Sequence, residues 1–100
     1  MTEIICTEGR DNWRIEARGH ATGSPEVCAA ISNLVTAVAA WAMCREDVTV
    51  HESRLSSGEA VVAFTGEREV CRAVWELARV DAALLERDYP QFVRATITEA

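Results

Sequence analysis

The four cysteines of this 100-residue chain include no C-x-x-C pair, and only two histidines accompany them. A structural zinc site draws on closely spaced Cys and His ligands, so zinc is not expected. The ten basic side chains form no run, and the net charge is −6. A nucleic-acid surface needs clustered positive charge, so no direct nucleic-acid partner is expected; an acidic surface is most commonly a solubility charge and would also suit a basic substrate. The opening "TEIICTE" has neither a basic start nor a long apolar run. The longest weakly polar stretch, residues 27–43, is interrupted by Ser32, Asn33 and Thr36 and reads as too broken to span a bilayer. The expectation is a cytoplasmic protein with no membrane partner. In a reducing compartment, disulfides are not expected, and Cys6, Cys44 and Cys71 read as small buried side chains. Repeats, linkers and low-complexity tracts are lacking as well, which leaves one domain over residues 1–100 around one modest core.

What is present is ordinary for a folded domain: 49% hydrophobic and 26% charged residues. "TEIICT" is β-branched and stops at Gly9 and Asp11-Asn12. "WRIEARGH" then alternates, Trp13, Ile15 and Ala17 against Arg14, Glu16 and Arg18, which predicts a hairpin. Ser24-Pro25-Glu26 is a helix start: a serine cap, a proline at the first helical position and an acid in the first turn. Val27, Ile31, Leu34, Val38 and Trp41 recur at helical spacing to about Arg45. "EDVTVHESRL" and "GEAVVAFTG" form a second hairpin around Ser56-Ser57-Gly58. A second helix spans about 67–88, with Val70, Val74, Leu77, Val80 and Leu84 as its apolar stripe, and "QFVRATIT" is a last strand. The order ββαββαβ is best buried as an α+β two-layer sandwich: a mainly antiparallel five-stranded sheet with two helices on one face. The other face then carries Arg14, Glu16, Arg18, Thr49, His51, Arg94 and Thr96, with His51 a solvated residue.

The stretch "RGHATGSPEVCAAIS" places His20 at a strand end beyond Gly19 and Cys28 eight positions later, in the first turn of a helix. A thiol attacks a carbonyl only as its thiolate, and a helix N-terminus favours negative charge on a thiol or on the oxyanion of a tetrahedral intermediate. His20 is placed to take the thiol proton and later deliver it to a leaving amine. Gly23 and Ser24 give the intervening loop freedom to move around a substrate. Spacing alone leaves a cysteine enzyme and a small domain with inert sulfurs as open alternatives.

"GHA", a short loop and "VCAAIS" together resemble the signature of the ribosomal-processing cysteine proteases, the Prp or YsxB-like family, and the likeness extends along the chain to "YPQFVRATI". The resemblance implies a homodimeric, cofactor-free cysteine endopeptidase of the bacterial cytoplasm that removes a short N-terminal extension from a large-subunit ribosomal protein. It implies Cys28 as nucleophile and His20 as general base, with Ser32 one helical turn below as a supporting hydroxyl. Gly19 and Ala29 act as small supporting residues, and Gly23 and Ser24 form a flexible loop. The alternative is a non-catalytic or diverged binding module of the same fold, in which the shortened loop "ATGSPEV" has closed the active-site groove. A third reading is a hydrolase or transferase using the same pair on a small thioester or amide.

Overall fold

The computed structural model describes residues 1–19, 24–56 and 58–99. Its elements are β1 (Thr2–Glu8), β2 (Trp13–Arg18), α1 (Pro25–Met43), β3 (Val48–Ser56), β4 (Glu59–Gly66), α2 (Arg68–Asp88) and β5 (Val93–Glu99). The expected ββαββαβ order is therefore found. The sheet runs β3-β4-β2-β1-β5 and is mixed: three antiparallel pairings and one parallel pair, β1 with β5. Strand β5 reaches β1 only after the α2 crossover, as a parallel pairing requires.

Alternation sorts the strands into two faces. Ile4, Cys6, Trp13, Ile15, Ala17, Val62 and Phe64 point to the helices and are buried with residues of both α1 and α2. Phe64 stacks on Trp13 at 6.2 Å and meets the edge of Trp41 at 5.7 Å, which ties β2, β4 and α1 together. Helix α1 is long and apolar enough, by length and composition, to cross a bilayer, so its polar interruptions matter less than expected. Here Val27, Ile31, Leu34, Val35, Val38, Ala39 and Ala42 are buried in the core.

The opposite face is polar, as expected, and ordered by arginine; the chain has no lysine. Arg14 pairs with Glu52 at 2.6 Å and Glu16 at 3.4 Å, Arg18 with Glu16 at 3.0 Å, and Arg54 with Glu59 at 2.7 Å. Val61 lies on this face, opposite Glu16 on one side and Arg54 on the other, and is fully buried outside the main core. A hydrogen bond from Arg14 holds the Glu52 carboxyl below the usual range. His51 sits at a bulge between Val50 and Glu52, exposed, with Nε2 2.7 Å from Thr65 Oγ1.

Two expectations about the helices and cysteines are corrected. The buried stripe of α2 is Cys71, Trp75, Ala78, Ala82 and Leu85, one residue out of step with the expected one. Leu77, Val80 and Leu84 are exposed by 71%, 47% and 40%. One residue is 100° of helix rotation, and the small Ala78 and Ala82 let α2 lie close on the sheet around the single large Trp75. Among the cysteines, Cys6 and Cys71 are buried, but Cys44, expected inside, caps the C-terminus of α1 in the open.

Burial, opposed by the positive charge of Arg79, pushes the Cys6 thiol up to about 11 from 9.0. The unfolded thiol ionises near 9.0 and the folded one does not, so its contribution to stability is full below about pH 9 and is lost as pH rises through 11. The urea midpoint is expected to fall across that window. Cys6→Ala lowers the midpoint at neutral pH by leaving a cavity but flattens its alkaline decline.

Candidate active site

The first turn of α1 is built by Ser24. Its buried side chain accepts from the Val27 N–H at 3.4 Å, and its carbonyl accepts from the Cys28 N–H at 3.2 Å. Pro25 has no N–H to satisfy and fixes the entry angle. Two first-turn amides thus have acceptors within the turn, fewer open donors around Cys28 than its position in sequence promised. Cys28 itself is exposed. Glu26, also exposed, lies 3.4 Å from the Ser24 hydroxyl, which donates to it.

Cys28 opens on a cleft of about 240 Å³ walled by α1, the ends of β1 and β2, and the β3–β4 hairpin. Its lining includes Thr2, Gly19, Ser32, Ser56, Gly58 and Glu59. Through Ser32, Ser56 and Ala60 it continues into a second hollow beside Thr36 and Leu55. The eight-residue rise from Cys28 to Thr36 is about 12 Å along a helix, the length of three or four extended peptide residues. The walls are small and neutral, apart from Glu59, which pairs with Arg54 at the rim, and the aliphatic Ile31 and Leu55.

Gly19 closes one end. Its φ is +87°, its N–H donates to the Gly58 carbonyl at 2.9 Å, and a Cβ there would stand 2.7 Å from the Met1 carbonyl oxygen. Both the left-handed backbone and the close approach of β1 require glycine. Gly19→Ala is expected to cost roughly 1–3 kcal/mol in chemical denaturation, and to narrow the cleft.

Of the residues singled out from sequence, Gly19, Cys28 and Ser32 line this cleft together. Ser24 caps the helix that carries Cys28, as its place before Pro25 led one to expect. Ala29 is exposed next to Cys28. His20 and Gly23 lie outside the described residues. Among the described residues, no group of three or more His, Cys, Asp or Glu is arranged to hold a metal ion. Sequence reasoning missed Thr2, Ser56, Gly58 and Glu59. The Ser-Ser-Gly turn signal marked the hairpin, but nothing local said that this hairpin would fold over α1.

No family model and no curated protein sequence matches the chain. Solved structures do. SMU.848 from Streptococcus mutans superposes with a TM-score of 0.76 at 21% identity, covering 100% of this chain and 99% of that one. The essential ribosomal processing protease Prp from S. aureus, in complex with a covalently linked product peptide, gives 0.79 at 13% identity, covering 97% and 99%. The same protease in complex with a substrate peptide gives 0.72 at 11% identity, with the same coverage. The chain has the Prp fold from end to end.

Proposed function

We propose that this protein is a Prp-type cysteine endopeptidase that removes a short N-terminal extension from a large-subunit ribosomal protein in the bacterial cytoplasm. The observation that carries the reading is an exposed thiol in the first turn of α1, opening on a cleft long enough for an extended peptide, in a fold shared with a peptide-bound protease.

The chemistry follows from the residues. Cys28 Sγ attacks the scissile carbonyl carbon, and its proton passes to His20, which is one peptide bond from the cleft-lining Gly19. The positive end of α1 stabilises the negative charge that develops there. The C–N bond then breaks. His20 returns the proton to the departing nitrogen, which becomes the new N-terminus of the ribosomal protein, and the extension stays on Cys28 as a thioester. Water, deprotonated by His20, hydrolyses the thioester and frees the thiol. Ser32 supplies a hydroxyl in the wall one turn along α1, and the net charge of −6 favours a basic peptide.

Incubation with the extended ribosomal protein of the same host, followed by mass spectrometry of the product's N-terminus, tests reaction and substrate together. A single new N-terminus, absent with Cys28→Ala, is the expected result. An intact substrate after prolonged incubation, with the same protein retained equally by wild type and Cys28→Ser in a pulldown, would favour the binding-module reading instead.

A further inference from the structure

Among the described residues the buried polar side chains are Thr2, Glu8, Glu16 and Ser24. Three of them have protein partners. Glu8 accepts from Trp13 Nε1 at 2.9 Å, Glu16 pairs with Arg14 and Arg18, and Ser24 caps α1. Thr2, only 3% exposed, is the exception. Its backbone N–H donates to the Phe92 carbonyl at 2.8 Å, but its hydroxyl has no hydrogen-bond partner among the described residues. The position itself suits an apolar side chain, since Thr2 heads the inward row of β1 that continues as Ile4 and Cys6. Valine has the same shape and the same strand preference, and would bury there without an unpaired hydroxyl. Nor is this hydroxyl sealed in: the wholly enclosed polar atom without a partner among the described residues is Trp75 Nε1. Thr2 lines the cleft on which Cys28 opens. Its neighbour Gly19 puts no side chain over it, and a Cβ there would lie 3.9 Å from the Thr2 Cα.

We infer that Thr2 determines specificity for the residue whose carbonyl Cys28 attacks, selecting a neutral side chain with a hydrogen-bonding tip. The inference rests on the peptidase reading and names the side chain that its site accepts. With the scissile carbonyl carbon at Cys28 Sγ, the Cα of that residue is one bond away, so its side chain is the first to enter the hollow beside the thiol. The hollow, about 240 Å³, is lined by the buried Ala17, Ile31 and Ala60 together with Thr2. The charge that lines it among the described residues is Glu59, whose carboxylate already accepts from Arg54 at 2.7 Å. A charged tip would therefore be buried without a counter-charge. The acidic field of the protein acts on the peptide as a whole, outside this hollow. A threonine hydroxyl both donates and accepts. A phenol or carboxamide tip completes it, whereas a hydrocarbon of the same size displaces solvent and leaves the hydroxyl unpaired.

Chloromethyl ketones of single N-acetylated amino acids test this on the full chain, whatever the cleavage sequence. After His20 takes the thiol proton, Cys28 Sγ displaces chloride: the C–S bond forms as the C–Cl bond breaks, with the reagent's side chain in the hollow. Rates at Cys28, read by peptide mass spectrometry, are divided by those at the exposed Cys44. Two pairs of matched size are compared, tyrosine with phenylalanine and glutamine with norleucine. In wild type the polar member of at least one pair is expected to react about 10-fold faster, about 1.4 kcal/mol. Thr2→Val keeps the shape and the N–H bond to Phe92, and Thr2→Ala removes the hydroxyl by a second route; both are expected to bring that ratio to about one. Thr2→Ser, which keeps the hydroxyl, should retain the preference. Equal rates within both pairs, or a preference that survives Thr2→Val and Thr2→Ala, overturns the inference. If Cys28 still outpaces Cys44 in that result, the peptidase reading stands. A Cys28 no faster than Cys44 with every reagent overturns both.

Discussion

Cys28→Ala is expected to abolish peptide cleavage, with kcat reduced by roughly four orders of magnitude or more, as follows when the atom that carries the acyl group is removed. The fold should be unaffected, because the side chain is exposed and alanine is a better helix former. Alkylation separates this claim from a general loss of binding. The two exposed thiols sit at opposite ends of one helix, Cys28 in the first turn and Cys44 at the C-terminal cap. The dipole of α1 opposes negative charge at the second position and supports it at the first. With iodoacetamide near neutral pH, Cys28 should therefore react fastest, Cys44 more slowly, and the buried Cys6 and Cys71 only on unfolding. His20→Ala should slow Cys28 and leave Cys44 unchanged, so Cys44 serves as an internal standard. Equal rates at Cys28 and Cys44, with no effect of His20→Ala, would refute the nucleophile assignment.

The second large effect lies in the core. Trp75 is fully buried at the centre of the α2 stripe, with Arg79 stacked 5.7 Å from its ring. Trp75→Ala removes the largest side chain between α2 and the sheet and leaves a cavity, for an expected loss of about 3–5 kcal/mol. Leu77→Ala, two residues on, truncates an exposed aliphatic side chain and should change stability by no more than about 0.5 kcal/mol. Urea denaturation of both variants decides which stripe of α2 faces the core. Comparable losses would mean that the expected stripe, Val70-Val74-Leu77-Val80-Leu84, shares the burial after all.

That pair of residues illustrates where local pattern stops. Helix α2 carries two apolar stripes 100° apart, and both satisfy helical periodicity. Only the choice of which one meets the sheet separates Trp75 from Leu77. For α1 the question did not arise, because Val27, Ile31, Leu34 and Val38 are its only large aliphatic stripe, and all four are buried. The same limit explains Cys44, which reads as buried by residue type but falls at a helix end, where the chain leaves the core.

In the strands, the alternation around Trp13-Ile15-Ala17 was legible because period two admits one core face. The partners were not. Nothing within "VRATITE" says that it pairs in parallel with β1 at the far edge. At the site, the cap, the proline and the position of Cys28 in the first turn were all local and readable. The cleft was not, because its other wall comes from Ser56, Gly58 and Glu59, far from Cys28 along the chain.

The sequence by itself determined the elements, their order, the helix start beneath Cys28 and the polarity of the open sheet face, since each depends on neighbours within a few positions. Tertiary structure alone decided which stripe of α2 is inside, that the second hairpin closes a cleft over the thiol, and that an apolar face is left between the helices. Those outcomes depend on distant segments competing for the same surface of the sheet, and a one-dimensional period carries no information about which competitor wins.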